Sequence, residues 1–272
     1  MTTTNEQRQK DLIRDRFTQT VDAFADYAVS YRAQFADSLS RLVSAKPSDR
    51  AVDLASGPGT LALQFARKVR WVHAVDLTPA MLARARRTAE SEGLGNLSFT
   101  LGDAQSLPIA TGSLDLAVTS YSLHHVPDPA RMIREMARVV KSDGRVGIID
   151  IVVPEDLARA ELANRIEIAR DPSHTRSLPR SDFEKMLAGA GLRILESEIH
   201  ELPRSFDHWM HVAGWHRGDP AYIETRRLME STMPDDRAGF HPKFAGANPD
   251  APDEAPDINM VNTGLFLAAG KA

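Results

Sequence analysis

The stretch Arg50-Ala-Val-Asp-Leu-Ala-Ser-Gly-Pro-Gly-Thr-Leu61 narrows the folds open to this chain more than any other. Ala51-Val-Asp-Leu54 reads as a short, mostly apolar strand of the kind buried inside a parallel sheet. It runs straight into Gly57 and Gly59, and then into Thr60-Leu-Ala-Leu-Gln-Phe-Ala-Arg67, whose apolar residues have helical spacing. Strand, glycine turn and helix make the first half of a nucleotide-binding βαβ unit, because bare backbone at the strand's carboxyl end lets a ligand approach. Pro58 suits a rigid turn or the first turn of the helix, where its missing N–H costs little.

The next acid carries the reading further. Trp71-Val-His-Ala-Val-Asp76 is a second strand that ends in a carboxylate about twenty residues on, the spacing of a residue that binds ribose hydroxyls. An acid capping a helix in a surface loop is the plainer alternative for Asp76, and the pairing with the glycine turn argues against it. The turn is not that of a dehydrogenase: a pyrophosphate cradle wants G-x-G-x-x-G with bare N–H groups at a helix start. Here Asp53 sits in the strand, Ala55 stands at the usual first glycine, and Leu61-Ala62 follow Gly57-Pro-Gly59. A carboxylate at Asp53 would repel a pyrophosphate and suits the amino group of a cationic ligand.

Asp53-Leu-Ala-Ser-Gly-Pro-Gly59, followed by His73-Ala-Val-Asp-Leu-Thr-Pro-Ala-Met-Leu82, resembles motifs of the class I S-adenosylmethionine-dependent methyltransferases. The nearest branch in appearance holds the quinone-biosynthesis C-methyltransferases and many small-molecule relatives. Their cofactor, S-adenosylmethionine, has an ammonium and a sulfonium but no phosphate, and is released as S-adenosylhomocysteine. Ala55 departs from the commoner glycine of that pattern and leaves cofactor binding in place.

Later segments extend the alternation. Thr78 is the expected N-cap and Pro79 the first residue of a helix that ends at Gly93-Leu-Gly-Asn96. Leu97-Ser-Phe-Thr-Leu101 is a third strand, Leu114-Asp-Leu-Ala-Val-Thr119 a fourth, and Arg145 to Val153 a fifth after a helix from Ala130 to Lys141 and a turn at Ser142-Asp-Gly144. Strands alternating with helices predict an α/β fold with a doubly wound, mostly parallel sheet. Residues 154–180 interrupt the alternation with a helix over Asp156 to Arg170 and a loop. Ser181 to Gly191 reads as a helix with a capping-box start and a glycine stop, and Leu192 to Leu202 as a sixth strand. Asp207 to His216 and Pro220 to Met233 read as helices, and Ile258 to Gly270 as a seventh strand.

The resemblance implies a Rossmann-like sheet whose last strand inserts antiparallel beside the fifth. It also implies one methyltransferase domain over 1–272: a helical cap at 1–46, a cofactor-binding core at 47–153, cap inserts at 154–180 and 203–257, and a final strand at 258–272. Phe17, Val21, Phe24 and Ala28 have helical spacing, with Tyr27 and Tyr31 intermixed; the resemblance implies a segment folded over the cofactor with Phe17, Phe24 and Tyr27 lining the acceptor pocket, while the packing stripe of two helices is the favoured reading for any single aromatic.

Composition sets outer limits. With 42% hydrophobic residues in 272, the chain can bury a substantial core, and its net charge of −4 provides no nucleic-acid surface. It has no cysteine, which excludes disulfides and thiolate metal sites and agrees with a reducing cytosol. Met1 to Lys10 is polar where a signal peptide is apolar, and no apolar run approaches the roughly 18 residues that cross a bilayer. A cytoplasmic protein, monomer or homodimer, with a small-molecule partner, no nucleic acid and no membrane span, is the expectation.

Ligands of open α/β sheets lie beyond the carboxyl ends of the strands, and Asp53, Gly57, Asp76, Asp103 and Ser120 all fall there. The resemblance implies that Asp103-Ala104 holds the adenine amino group, that Met81 lies at the adenine edge, and that Ala55, Gly57, Gly59, Asp76 and Leu77 complete the cofactor site with Asp53 and Ser120. Methyl transfer from a sulfonium is an in-line displacement with an activated donor, so orientation can contribute on the order of 7–11 kcal/mol and a base is optional. If one is used, Tyr121, His124 and His125 follow the fourth strand directly, and a histidine removes an O–H or N–H proton near neutral pH. One of that pair equally suits helix capping or packing beneath the cofactor.

Tyr27, His174, Arg176 and Trp209 are the candidate acceptor contacts, against plainer readings as core or solvated loop. His208 and His211 share a helical face, but no adjoining carboxylate pair completes a ligand set, so no metal is expected. Competing readings are a dehydrogenase, an RNA methyltransferase, and a cyclase or regulatory protein that binds the cofactor without methyl transfer.

Overall fold

The computed structural model describes residues 3–27, 33–246 and 255–272. Strands β1 (Arg50–Leu54), β2 (Trp71–Asp76), β3 (Leu97–Leu101), β4 (Leu114–Ser120), β5 (Val140–Val152), β6 (Leu192–Ser205), β7 (Lys243–Phe244) and β8 (Ile258–Lys271) form one sheet. Its order is β3-β2-β1-β4-β5-β8-β6, with the two-residue β7 added to β8. β1 to β5 run parallel, and β8 is antiparallel to both β5 and β6. The doubly wound sheet with an inserted antiparallel last strand is therefore the one expected. β7 has no signal in the sequence, being two residues amid polar loop.

The chain direction across the sheet reverses between β1 and β4, which opens a crevice past their carboxyl ends. Those ends are stitched together: Thr119 Oγ1 donates to the Leu54 carbonyl at 2.7 Å and lies 2.5 Å from Ser122 Oγ. Period-two alternation sends Val52 and Leu54 to one face and Ala51 to the other. The first face is covered by α6 (Pro129–Val139) through Met132, Ile133 and Met136, and by α8 (Arg180–Gly189) through Phe183 and Leu187. On the second, α3 (Ala33–Leu42) and α4 (Thr60–Ala66) bury Leu39, Leu42, Leu61 and Phe65. α5 (Pro79–Ser91) packs beside α4. A third cluster joins α7 (Leu157–Arg170), α9 (Phe206–Val212) and α10 (Pro220–Glu230) to Ile258 and Met260 at the start of β8.

Several boundaries differ from expectation. Helix α1 (Thr3–Gln19) begins inside the polar N-terminal stretch, where side-chain pairs such as Glu6–Lys10 at 2.5 Å and Asp11–Arg14 at 2.7 Å support it; α2 (Val21–Tyr27) follows after Thr20. α6 stops at Val139, and Ser142-Asp-Gly144 is part of β5 rather than a turn. The extra length is accommodated by a register shift opposite Leu114/Leu116 and by Gly144, where a Cβ would come within 3.0 Å of the Asp115 carbonyl oxygen. Thr78 does cap α5, but its side chain makes no capping bond; Asp76 Oδ1 accepts from the Thr78 N–H at 2.8 Å instead. The capping box at Ser181 does not form either, because α8 starts after Pro179 and Ser181 bonds Glu155 through both its N–H and its hydroxyl.

At Gly147 on β5, α3 and the residue after it pack directly on the sheet: a Cβ there would lie 2.7 Å from Val43 Cγ1 and 3.1 Å from Leu39 Cδ1. Gly147→Ala is expected to cost about 1–3 kcal/mol through overpacking. Thermal unfolding should read this as a drop of roughly 2–4 °C per kcal/mol.

Candidate functional site

The turn after β1 has three left-handed residues, Ala55 (φ 52), Gly57 (φ 55) and Gly59 (φ 85). Ala55 carries a Cβ in that region, at a cost of roughly 1–2 kcal/mol that glycine avoids. A Cβ on Gly59 would come 2.8 Å from the Ala85 Cβ, so this glycine serves the close approach of α4 to α5 and not a ligand. The Gly57 N–H donates to Asp76 Oδ2 at 2.8 Å. One carboxylate thus ties the glycine turn to the end of β2 and the start of α5. Burial raises the Asp76 pKa, and these N–H donors hold it back.

The first cavity opens past this turn. Ala55, Gly57, Asp76, Leu77, Met81, Asp103, Ala104 and Ser120, all candidate cofactor contacts in the sequence, line it, and Tyr121 and His125 join them. Lys10, Ile13 and Phe17 of α1 and Phe24 of α2 close it from above. Asp53 and Gly59 do not line it. Asp53 is fully buried beneath the turn, where burial drives its pKa well up, the Ala62 N–H opposes this, and neighbouring Asp76 adds to it. The Asp53 carboxyl is therefore sealed under the turn rather than presented to a ligand in the cavity.

Asp103 accepts from the Gln105 N–H at 2.8 Å and from Lys10 Nζ at 2.8 Å. Burial pushes its carboxyl up, but Lys10 and Gln105 more than offset this and leave it below the usual range. Lys10 comes from α1, some ninety residues away in the chain, and nothing in the sequence marked it.

A second cavity abuts the first. Phe17, Phe24, Tyr121 and His125 belong to both walls. Its remaining lining mixes charge with apolar surface: Arg16 from α1, Glu167 and Arg170 from α7, Asp171, Arg204 from β6, Asn262 from β8, and Ile151, Trp209, Val212 and His124. Arg16 Nε lies 3.5 Å from Asp171 Oδ1, with its guanidinium 4.9 Å from the Trp215 ring centre. The Arg170 guanidinium stacks 4.5 Å over Trp209, donates from Nε to the Trp209 carbonyl at 3.1 Å, and lies 3.6 Å from Glu167 Oε2. Burial raises the Glu167 pKa, partly offset by Arg170.

The histidines sort differently from one another. Tyr121 holds φ 52, a strained conformation for a large side chain, and it turns the loop back over the strand ends. His124 Nδ1 meets Asp150 Oδ1 at 2.5 Å, while Asp150 Oδ2 accepts from the Leu123 N–H at 2.8 Å. His125 Nδ1 lies 3.2 Å from the Ser173 carbonyl, and burial, followed by the neighbouring His124, lowers its pKa to about 4. His174 is buried beside the other two rings, 5.3 Å from His124 and 6.0 Å from His125, with Nε2 3.1 Å from Asn164 Oδ1; it lines neither cavity, and burial drives its pKa far down. Arg176 is exposed and lines neither. Trp209 lines the second cavity and also packs in the third core cluster. The side chain of Tyr27, and Ala28 and Tyr31, lie outside the described residues.

Among the described residues no cluster of three His, Asp or Glu is arranged to hold a metal ion, and His211 stacks on His216 at 4.9 Å. No helix among them is long and apolar enough to cross a membrane. Asp150 was legible in principle, since it falls near the carboxyl end of a strand. Arg16, Arg170, Arg204, Glu167 and Asn262 come from four separate elements and share no local pattern.

Lys10→Met should let burial dominate at Asp103, so that its carboxyl titrates at higher pH; carbon-13 carboxyl shifts followed against pH read this directly. For His125, the unfolded ring takes its proton near pH 6.5 and the folded ring near pH 4. The unfolded state binds more protons in between, so stability is full above about pH 6.5 and is lost as pH falls toward 4. Thermal midpoints across that window should fall more steeply for the native protein than for His125→Gln.

A methyltransferase-domain family model matches residues 51–144. The uncharacterized methyltransferase YcgJ of Bacillus subtilis is 30% identical over 198 residues, which cover 73% of this chain and 78% of that protein. The crystal structure of YcgJ superimposes with a TM-score of 0.77 over 87% of this chain and 97% of that one, at 26% identity. A ubiquinone/menaquinone biosynthesis C-methyltransferase, UbiE of a Ruegeria species, is 29% identical over 42% of this chain and 47% of its own length. The chain belongs to the class I S-adenosylmethionine-dependent methyltransferases: it is a methyl-transferring enzyme with S-adenosylmethionine as its cofactor.

Proposed function

We propose that this enzyme methylates a small molecule held in the second cavity, with the cofactor held in the first. One observation carries the reading: the two cavities share a wall of Phe17, Phe24, Tyr121 and His125, so reactants on its two sides would meet there. In this reading the Asp76 carboxylate takes the ribose hydroxyls, Asp103 and Ala104 take the adenine, Met81 and Leu77 flank the nucleoside, and Ala55, Gly57 and Ser120 line the methionine portion. The residues present suit that cofactor, because the backbone is bare at Gly57 and the acids Asp76 and Asp103 line the cavity, suited to hydroxyl and amino groups rather than to a phosphate.

The cofactor supplies an activated methyl group and a neutral leaving group. What the chain supplies is alignment and a dry junction. Helix α1 roofs the first cavity, while α7 and α9 wall the second. We read the segments 1–46, 154–180 and 203–257 as a cap on the core at 47–153, closed by the strand at 258–272, all in one domain. The second cavity pairs rings and aliphatic groups with guanidinium groups, which favours an acceptor with both an apolar body and a polar group over a wholly apolar quinone tail. Oxygen, nitrogen and carbon nucleophiles all fit this description, and a cytoplasmic metabolite is the natural candidate.

Calorimetric titration of the purified protein with S-adenosylmethionine and S-adenosylhomocysteine tests the cofactor assignment. Saturable binding of both is expected. Asp76→Asn should weaken it roughly tenfold, the loss of one charge-assisted hydrogen bond. No heat at millimolar cofactor would count against the site. Transfer of labelled methyl to a panel of small phenols, hydroxy acids and amines tests the acceptor class, and cofactor bound but never consumed across the panel would favour a binding protein.

A further inference from the structure

We propose that His124 is the base that takes the acceptor's proton, that Asp150 is the positioning residue which keeps its Nε2 directed at the second cavity, and that the acceptor therefore reacts through an atom bearing a proton, an O–H or N–H. This rests on the reading of the second cavity as the acceptor site.

Three features of the geometry carry it. Asp150 is wholly buried, and its two oxygens are already oriented by backbone: Oδ2 accepts from the Leu123 N–H and Oδ1 from the Ile151 N–H, each at 2.8 Å. A carboxylate held this way has no freedom to turn from the ring. The contact it then makes, Oδ1 to His124 Nδ1 at 2.5 Å, requires the Nδ1–H tautomer and leaves Nε2 as a lone-pair acceptor. Finally, His124 lines the second cavity and not the first, so the ring stands on the acceptor's side of the junction, with Asp150 occupying its Nδ1 edge.

The neighbouring rings are poorer candidates. His125 stands at the junction, but its Nδ1 faces the Ser173 carbonyl and hydroxyl, with no carboxylate hydrogen-bonded to it. Its low basicity, near pH 4, points the same way. His174 is buried outside both cavities, on Asn164. The groups that face the His124 ring, besides Asp150, are His125 from its own loop, His174 from the loop after α7, Glu167 on α7, and the arginines across the cavity.

The step balances without a further reactant. The acceptor's lone pair forms the new bond to carbon as the carbon–sulfur bond breaks and its electron pair stays on sulfur. The acceptor proton passes to His124 Nε2, the imidazolium so formed is held by Asp150, and water removes the proton after product leaves. Proton transfer to a placed base contributes about 10²–10⁴-fold in general.

The ring itself can be interrogated before any acceptor is known. Long-range proton–nitrogen NMR should show His124 as the Nδ1–H tautomer in the native protein. Carbethoxylation of His124 by diethyl pyrocarbonate, read by mass spectrometry, should slow about tenfold in Asp150→Asn, whose circular dichroism and calorimetric affinity for S-adenosylmethionine stay unchanged. An Nε2–H tautomer, or unaltered reactivity in that variant, overturns the proposal. If Asp150→Asn fails to fold, the native tautomer decides, and the milder Asp150→Glu replaces it. With any acceptor the panel yields, Asp150→Asn and His124→Gln should lower kcat about a hundredfold with the KM for cofactor unmoved, and remove the acidic limb of the pH–rate profile. A loss confined to KM, or turnover of an acceptor with no proton on its reacting atom, also overturns it. Absence of cofactor binding would instead defeat the functional reading while the histidine measurements stand.

Discussion

Asp76 is the pin on which the nucleotide end of this molecule depends. Its carboxylate reaches back to the Gly57 N–H and forward to the Thr78 N–H, so the turn after β1, the end of β2 and the beginning of α5 share one anchor. Without it, the Gly57 and Thr78 N–H groups would be left at the crevice as unsatisfied donors, an arrangement that buried backbone rarely tolerates. The side chain is desolvated, which raises its pKa, and the donors that it satisfies are what keep it serviceable as an acid.

Charge is handled by a second principle. In and around the two cavities the carboxyls stand in quite different settings: Asp53 buried beneath the turn with its pKa driven up, Asp103 held below the usual range by Lys10, and Asp150 bonded by backbone donors and a histidine. Burial costs a charge heavily unless a partner is built in. The N-terminal helix takes part twice, through Lys10 over the first cavity and Arg16 over the second. The two cavities therefore share the N-terminal helix as part of their walls.

Strain concentrates where the cavities join. Ala55 and Tyr121 end neighbouring strands in the left-handed region, where neither residue type is at ease. The surrounding bonds hold them there: the Tyr121 N–H donates to the Ile149 carbonyl at 2.7 Å, and Thr119 closes β4 onto β1. The switch in strand order thus supplies a crevice, and the two strained residues fold its rim inward to narrow it.

Much of the core was legible from the chain alone. Strands β1 to β4, the glycine turn and the acids at Asp76 and Asp103 follow from local patterns, because period-two burial, turn chemistry and short-range spacing are all written within a few residues. Sequence also foresaw the antiparallel last strand through family resemblance. Local pattern did not show that Asp53 lies buried beneath the turn, nor that His174 is sealed in and Arg176 faces solvent. The second cavity was decided only by tertiary structure: α1, α7, β6, α9 and β8 each bring one or two side chains to it, and no spacing along the chain encodes a meeting of segments separated by up to about two hundred and fifty residues. Local order is a property of neighbouring residues, whereas a cavity is a property of the folded contacts between distant ones.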